Sequence, residues 1–428
     1  MAQLSYIDTG VQPISNPKFD IPTDESIGAF LFDISNFENP FNGFTQLYLN
    51  FKDGQIQRIS NMDEALMLGI KNDGFLNNLV YYHLSQFFNY IEGDQVVYIA
   101  IADCSKDWDV LQYLQRQTNG RLSHIGIWTS QPIWNRKSDS SIGFTSLITD
   151  IQAQADEING KVGVATHTMV PLHIILSGNS GYINEGDIDY KQLPNAIELN
   201  CPKVSVPLVQ NGSEEVHKIQ SNNPLNAPVG SLGLIMALLA LCGAEESIAS
   251  VETCDLNKNE AFNFPEWGVG SKYAPIDTIH RIWANIISGR GYIVPIDYEA
   301  IEASYYLSSD QTLCDGDFSS IANNRIMHKC RRVLCTALLP FVNGNLEYDP
   351  GTRSISTVTT SIISNDIAVL LSHIMKNKQG KQQIESHNIE FLNNSEVLEE
   401  DSLSIRLEIT PVNYAGAISE DVSHDVNQ

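Results

Sequence analysis

The chain has 428 residues, enough for two or three domains with real cores, and its hydrophobic share of 43% is ordinary for a globular protein. With 51 Asp/Glu against 26 Lys/Arg the net charge is −25, which excludes the surplus of basic residues that nucleic-acid binding requires. No apolar run reaches membrane length, the longest being Leu232–Cys242, and the opening MAQLSYIDTG has neither the basic segment nor the apolar core of a signal peptide.

Leu4, Tyr6 and Val11 lie among Pro13, Pro17 and Pro22, so the first 26 residues read as an extended, strand-capable arm. Leu76, Leu79, Val80, Leu84, Phe87 and Phe88 follow the i, i+3, i+4 spacing of an amphipathic helix, broken by Gly93-Asp94. Val96–Ala102 is a fully buried strand, then come a helix around Trp108–Gln117, a strand at Leu122–Trp128 and a helix at Leu147–Ile158. Strands follow near Val162–Ala165 and Leu172–Leu176. Strands alternating with helices at this spacing predict a parallel, doubly wound α/β sheet.

Between Asn179 and Ala227 the pattern weakens, with one strand at Val204–Val209. Val229–Cys242 is apolar all round and predicts a buried helix whose Gly230 and Gly233 allow close packing. Asp255–Lys272 reads as a loop. Ile279, Ile282, Trp283 and Ile286 predict a helix ended by Gly289, followed by a strand at Tyr292–Ile296, a long helix over Ser319–Leu338 and another over Asp366–Lys376. Leu403, Ile405, Leu407 and Ile409 alternate with polar residues, the two-residue period of a strand with one buried face. Beyond it, Val412, Tyr414 and Ile418 punctuate an acidic tail. Residues 381–428 hold ten Asp/Glu against two Lys/Arg, which suits either a solvated surface or an arm that docks on a basic patch of another copy. The seven cysteines show no CxxC spacing and argue for a reducing compartment without disulfides or a zinc ribbon.

Chemistry-bearing patterns are weak. Ser180 in SGNSGY lacks the spacing of a nucleophile elbow and reads as a turn. Asp255, Asn257, Asn259, Asn263 and Glu266 fall at ligand positions of a calcium loop, but Glu260 occupies the place of the turn glycine, which favours a polar surface loop. Asp315 and Asp317 could bind a metal or do acid–base work, yet ahead of a long helix they suit an N-terminal cap better. Arg325, Lys329 and Arg332 share one helix face, either the wet side of an amphipathic helix or a basic stripe for an acidic partner.

The segment from Arg281 to Pro340, with Asp317, Phe318, Ile321, Asn324, Arg325, His328 and Lys329 in its long helix, resembles the C-terminal domain of contractile tail sheath proteins. LSIRLEITPVNYAGAISEDV resembles that family's closing strand and C-terminal arm, and FLNNLVYYHLSQFFNYIEGDQVVYIAIAD resembles the helix and strand that open its α/β region. The Pro-Gly-Val-Tyr opening of many phage sheaths is replaced here by SYIDTGVQP.

The resemblance implies two α/β (α+β) domains with extended arms that add strands to neighbouring subunits. Residues 1–26 would be an N-terminal linking arm and 27–270 an α/β domain, loop-rich over 179–272. Residues 271–402 would form a C-terminal core domain, and 403–428 a closing strand and second linking arm. On that view Leu4, Tyr6, Val11, Leu403, Ile405, Leu407, Ile409, Val412, Tyr414 and Ile418 link subunits, while Arg325, Lys329 and Arg332 face an inner tube. The implied partners are further copies in stacked rings, an inner tube protein, and baseplate and tail terminator proteins, with no cofactor, no nucleic acid and no membrane insertion. Assembly would take place in the cytoplasm of a host or producer cell, ahead of a place in a phage tail or contractile particle. Two rivals stand beside it: a metal-dependent α/β hydrolase using Asp315/Asp317 or the Asp255 loop, and a protein-binding scaffold.

Overall fold

Gly28–Asp33 (β1), sequence GAFLFD, carries no charge before its last residue and is buried along its whole length, as a strand covered on both faces must be. The structure, a computed structural model, describes residues 26–392 and 403–412, apart from 161–171, 179–189, 224–227 and scattered single or paired positions. After β1 come Thr45–Phe51 (α1), Ile56–Ile59 (β2), Met62–Met67 (α2), Leu76–Ile91 (α3) and Val97–Ala102 (β3). Asn61 starts α2 by accepting a hydrogen bond from the Glu64 amide, and α3 follows the apolar spacing seen in the sequence.

Next are Val110–Gln117 (α4), His124–Thr129 (β4), the hairpin of Trp134–Arg136 (β5) with Ile142–Phe144 (β6), Leu147–Gly160 (α5), His173–Gly178 (β7) and Val204–Pro207 (β8). Gln210–Asn211 (β9), Glu214–Asn222 (α6) and Leu232–Leu241 (α7) precede Pro265–Val269 (β10) and Lys272–Pro275 (β11). Arg281–Ser288 (α8), Tyr292–Ile293 (β12), Pro295–Asp297 (β13) and Tyr305–Leu307 (β14) lead to Ile321–Leu338 (α9), Thr357–Ile374 (α10), Ile384–Phe391 (β15) and Ile405–Pro411 (β16).

Seven strands make one sheet in the order β12-β8-β7-β4-β1-β3-β2, parallel throughout except for β2 at its edge. The chain winds outward from β1 in both directions, the doubly wound arrangement read from the sequence. Alternation along β1 sends Phe30 and Phe32 into a core with α3 and α7, and Ala29 and Leu31 into a core with α4 and α5. Buried α7 packs on α3 so closely that a Cβ on Gly233 would sit 2.0 Å from the His83 carbonyl oxygen. A third core joins α9, α10 and the β15–β16 pair through Ile326, Val333, Ile363, Ile367, Leu371 and Ile384.

Several expectations change. The strand near Val162–Ala165 lies outside the described residues. The segment read as a loop from Asp255 to Lys272 ends in β10, which pairs with both β9 and β11. Tyr292–Ile296 is two strands: β12 joins the large sheet beside β8, and β13 pairs with β14. The large sheet therefore runs past the domain boundary expected at residue 270. Helix α10 starts at Thr357, not Asp366, with Ser356 accepting from the Thr359 amide; its β-branched first turn is a poor helix former and hid the start.

Candidate assembly surface

β15 and β16 pair antiparallel, with Ile389 opposite Leu407, Phe391 opposite Ile405 and His387 opposite Ile409. Leu403, Ile405, Leu407 and Ile409 pack half-buried against the third core, so the alternating strand read at the chain end has its one covered face. The other face is polar and exposed. Ser386 Oγ donates to Thr410 Oγ1 at 3.0 Å, Asn388 Nδ2 to Glu408 Oε2 at 3.2 Å, and Arg406 pairs with Glu390 at 3.1 Å. These cross-strand pairs pin the register. No third strand joins this sheet among the described residues. The strand expected to link subunits is thus built first into its own chain. Val412 continues it by donating its amide to the Gln383 carbonyl at 3.1 Å. Leu4, Tyr6, Val11, Tyr414 and Ile418 lie outside the described residues.

Helix α10 adds a feature that the sequence reading missed. Ile363, Ile367 and Leu371 are buried, while Val358, Ile362 and Val369 are 59%, 50% and 45% exposed on another face. The available signal was apolar residues on two faces of one helix.

The basic stripe is a correction. Arg325, Lys329 and Arg332 are only 1%, 5% and 1% exposed, so none of them faces an inner tube. Arg325 closes the C-terminus of α7, donating to the carbonyls of Leu239 at 2.9 Å, Gly243 at 3.0 Å and Cys242 at 3.2 Å. A cation there satisfies the last carbonyls of the helix and the negative end of its dipole. Lys329 Nζ donates to Gln383 Oε1 at 2.6 Å, tying α9 to the approach to β15. A charge pattern that reads as a wet face is here a set of internal ties.

Beside these cations lie three buried histidines. His124 and His173 face each other at the first positions of β4 and β7, and His328 projects from α9. Ser123 Oγ meets His124 Nδ1 at 2.7 Å and Ser205 Oγ meets His173 Nε2 at 3.1 Å, while both ring nitrogens of His328 lack a hydrogen-bond partner among the described residues. Burial, then neighbouring Lys203 and Arg325, lowers His173 to about 3. Burial holds His124 and His328 well below the ordinary imidazole range, with Arg325 adding to the first and Lys203 to the second. All three are neutral at pH 7.

Among the described residues, the carboxylates read as possible metal ligands do not gather into one cluster. Asp255 accepts from the amides of Asn257 and Tyr305 and from Ser304 Oγ, while Glu266 meets His217 at 3.0 Å and Asn259 donates to the Asn89 carbonyl. The candidate calcium ligands thus diverge. Asp315 and Asp317 are exposed, and Ser320 caps α9 in their stead, accepting from the Asn323 amide at 3.0 Å. Ser180 lies outside the described residues. In doubly wound sheets ligands bind beyond the carboxyl ends of the strands, where the winding reverses. That point, between β1 and β4, is filled by fully buried Asp33. Its carboxylate accepts from the amides of Ser35 and Cys104 at 3.0 Å each, from Thr129 Oγ1 at 2.7 Å and from Gln131 Nε2 at 3.0 Å. The usual crevice is a knot that ties three strand ends together.

No protein-family model and no curated protein matches the chain. Solved structures do. A chain of the anti-feeding prophage (AFP) baseplate, 6-fold symmetrised, matches with TM-score 0.52 at 13% identity over 94% of each chain. A chain of the sheath complex of an extracellular contractile injection system, PVC, in its contracted state, matches with TM-score 0.53 at 11% identity over 94% of this chain and 92% of that one. At these identities the likeness concerns the fold. The chain has a contractile tail sheath-like fold.

Proposed function

We propose that the chain is a structural subunit of a contractile injection sheath, a mechanical part and not an enzyme. The β15–β16 sheet carries this reading. It has an apolar face seated on α9 and α10, a pinned register, and outward edges to which further strands can add. Residues 1–25 and 413–428 of neighbouring copies would supply those strands, so each copy is joined to others through backbone ladders. Such contacts are heterologous, the geometry that yields open helical polymers.

The other partners would be an inner tube protein, enclosed by the polymer, and baseplate and terminator proteins at its ends. Assembly would occur in the producing cell, and the finished polymer would belong to the particle. Contraction would turn rigid subunits about their arms without hydrolysis, the driving energy having been stored at assembly. If each subunit buried about 400 Å² of additional apolar surface on contraction, the transfer term would be about 10 kcal/mol. Arg325, Lys329 and Arg332 have no part in tube contact, since they are internal.

The test is a chain that ends at Val412. It keeps β16 and should fold like the full chain, yet remain a monomer in sedimentation and form no tubes or rings in electron micrographs. A truncated chain that polymerised as well as the full one would overturn the arm mechanism.

A further inference from the structure

Helix α7 ends at a pair of thiols. The sulfurs of Cys242 and Cys254 lie 3.1 Å apart, and both residues belong to the core on the α3 face of the sheet. Each backbone is held independently. The Cys242 amide donates to the Leu238 carbonyl at 2.9 Å, and its own carbonyl accepts from Arg325. The Cys254 amide donates to the Ser250 carbonyl at 2.9 Å. The residue after it, Asp255, is fixed by Tyr90 Oη on its carbonyl at 2.8 Å and by Ser304 and Tyr305 on its carboxylate. The sulfurs face each other because two separately anchored segments aim them. They need to close by only about 1 Å to reach disulfide bond length.

We propose that Cys242 and Cys254 form an oxidisable dithiol, a modification site at which hydrogen peroxide closes a disulfide across the end of α7. In the step, two S–H bonds and the peroxide O–O bond break and one S–S bond forms. The two sulfurs give up two electrons, and the peroxide takes them with both protons as two molecules of water. A small oxidant suits the site. Cys242 retains 7% exposure, and half-buried Ser247 has its carbonyl oxygen 3.8 Å from the Cys254 sulfur. The contact between the thiols also favours reaction, since it holds Cys254 below the ordinary thiol range while pushing Cys242 above it. The bond would tie the C-terminus of α7 to a strap already fastened to α3 and β14, and so stiffen the body of the subunit around Arg325. The inference rests on the thiol geometry and does not depend on the sheath reading.

The test uses the full chain, treated with hydrogen peroxide, then unfolded, alkylated and mapped by mass spectrometry. The untreated protein should show seven alkylated thiols and the treated protein five, with one crosslinked peptide joining Cys242 and Cys254. Its Tm should rise and return to the starting value with dithiothreitol. In Cys242→Ala, peroxide should leave all six remaining thiols free. Seven free thiols after treatment, a crosslink between other cysteines, or sulfinic acid at either position without a crosslink would overturn the proposal. The measurements on the unaltered chain decide it even if the variant fails to fold.

Discussion

Arg325 turns its guanidinium to three carbonyls at the end of α7, and that placement makes it a structural keystone of the α7–α9 contact. Replacing it with Met, in Arg325→Met, leaves those buried acceptors without their charged donor. The loss should be about 2–4 kcal/mol of stability, read as a lower urea midpoint with an unchanged slope; an unshifted midpoint would remove Arg325 from this role. The buried histidines give a second prediction. His83 and His173 are each lowered to about 3 by burial, whereas in the unfolded chain they titrate near 6.5. Below pH 6.5 the unfolded state binds protons that the native state does not. Their contribution is therefore complete above about pH 6.5 and is lost as pH falls toward 3, by about 1.4 kcal/mol per pH unit for each histidine. Thermal unfolding followed from pH 7 to pH 4.5 should show Tm falling; a flat profile would contradict the burial of these rings as neutral groups. Neither feature was legible from spacing. A stripe at i, i+4 and i+7 says which residues share a face, but not what covers that face, and α7 and Gln383 come to it from distant parts of the chain.

The elements that read well were those whose pattern is local. Helix α3 carries six apolar positions at helical spacing, β3 is a short uninterrupted apolar run, and β16 alternates strictly, so each shows its environment in its own sequence. Strand β15 does not. Its IESHNIEF has apolar residues at Ile384, Ile389 and Phe391 only, and it becomes a strand because β16 pairs with it. Residues 403–428 read as a closing strand and a linking arm, and the pairing of β16 with β15 changes what a truncation should do. Ending the chain at Glu400 removes β16 and uncovers Ile389, Phe391 and the third core. This form should aggregate or unfold at a markedly lower temperature, whereas ending at Val412 should leave Tm within a few degrees of the full chain. Equal stability of the two truncated chains would mean that β16 contributes nothing to its own body.

At the scale of the molecule, the parallel, doubly wound form of the large sheet was legible in the βα alternation, while the order of its strands was not. Tyr292 and Ile293 reach back to pair with Val206 and Pro207, a long-range contact that no local signal announces. Asp33 and its five donors, the Ser35 hydroxyl among them, occupy the crevice where doubly wound sheets hold ligands.

The most direct measurement is an electron cryo-microscopy reconstruction of the assembled full-length protein. The account predicts tubes or stacked rings in which residues 1–25 or 413–428 of one copy lie as added strands along β15 or β16 of another. A reconstruction, or a solution of monomers at high concentration, in which both terminal segments fold onto their own chain would contradict it.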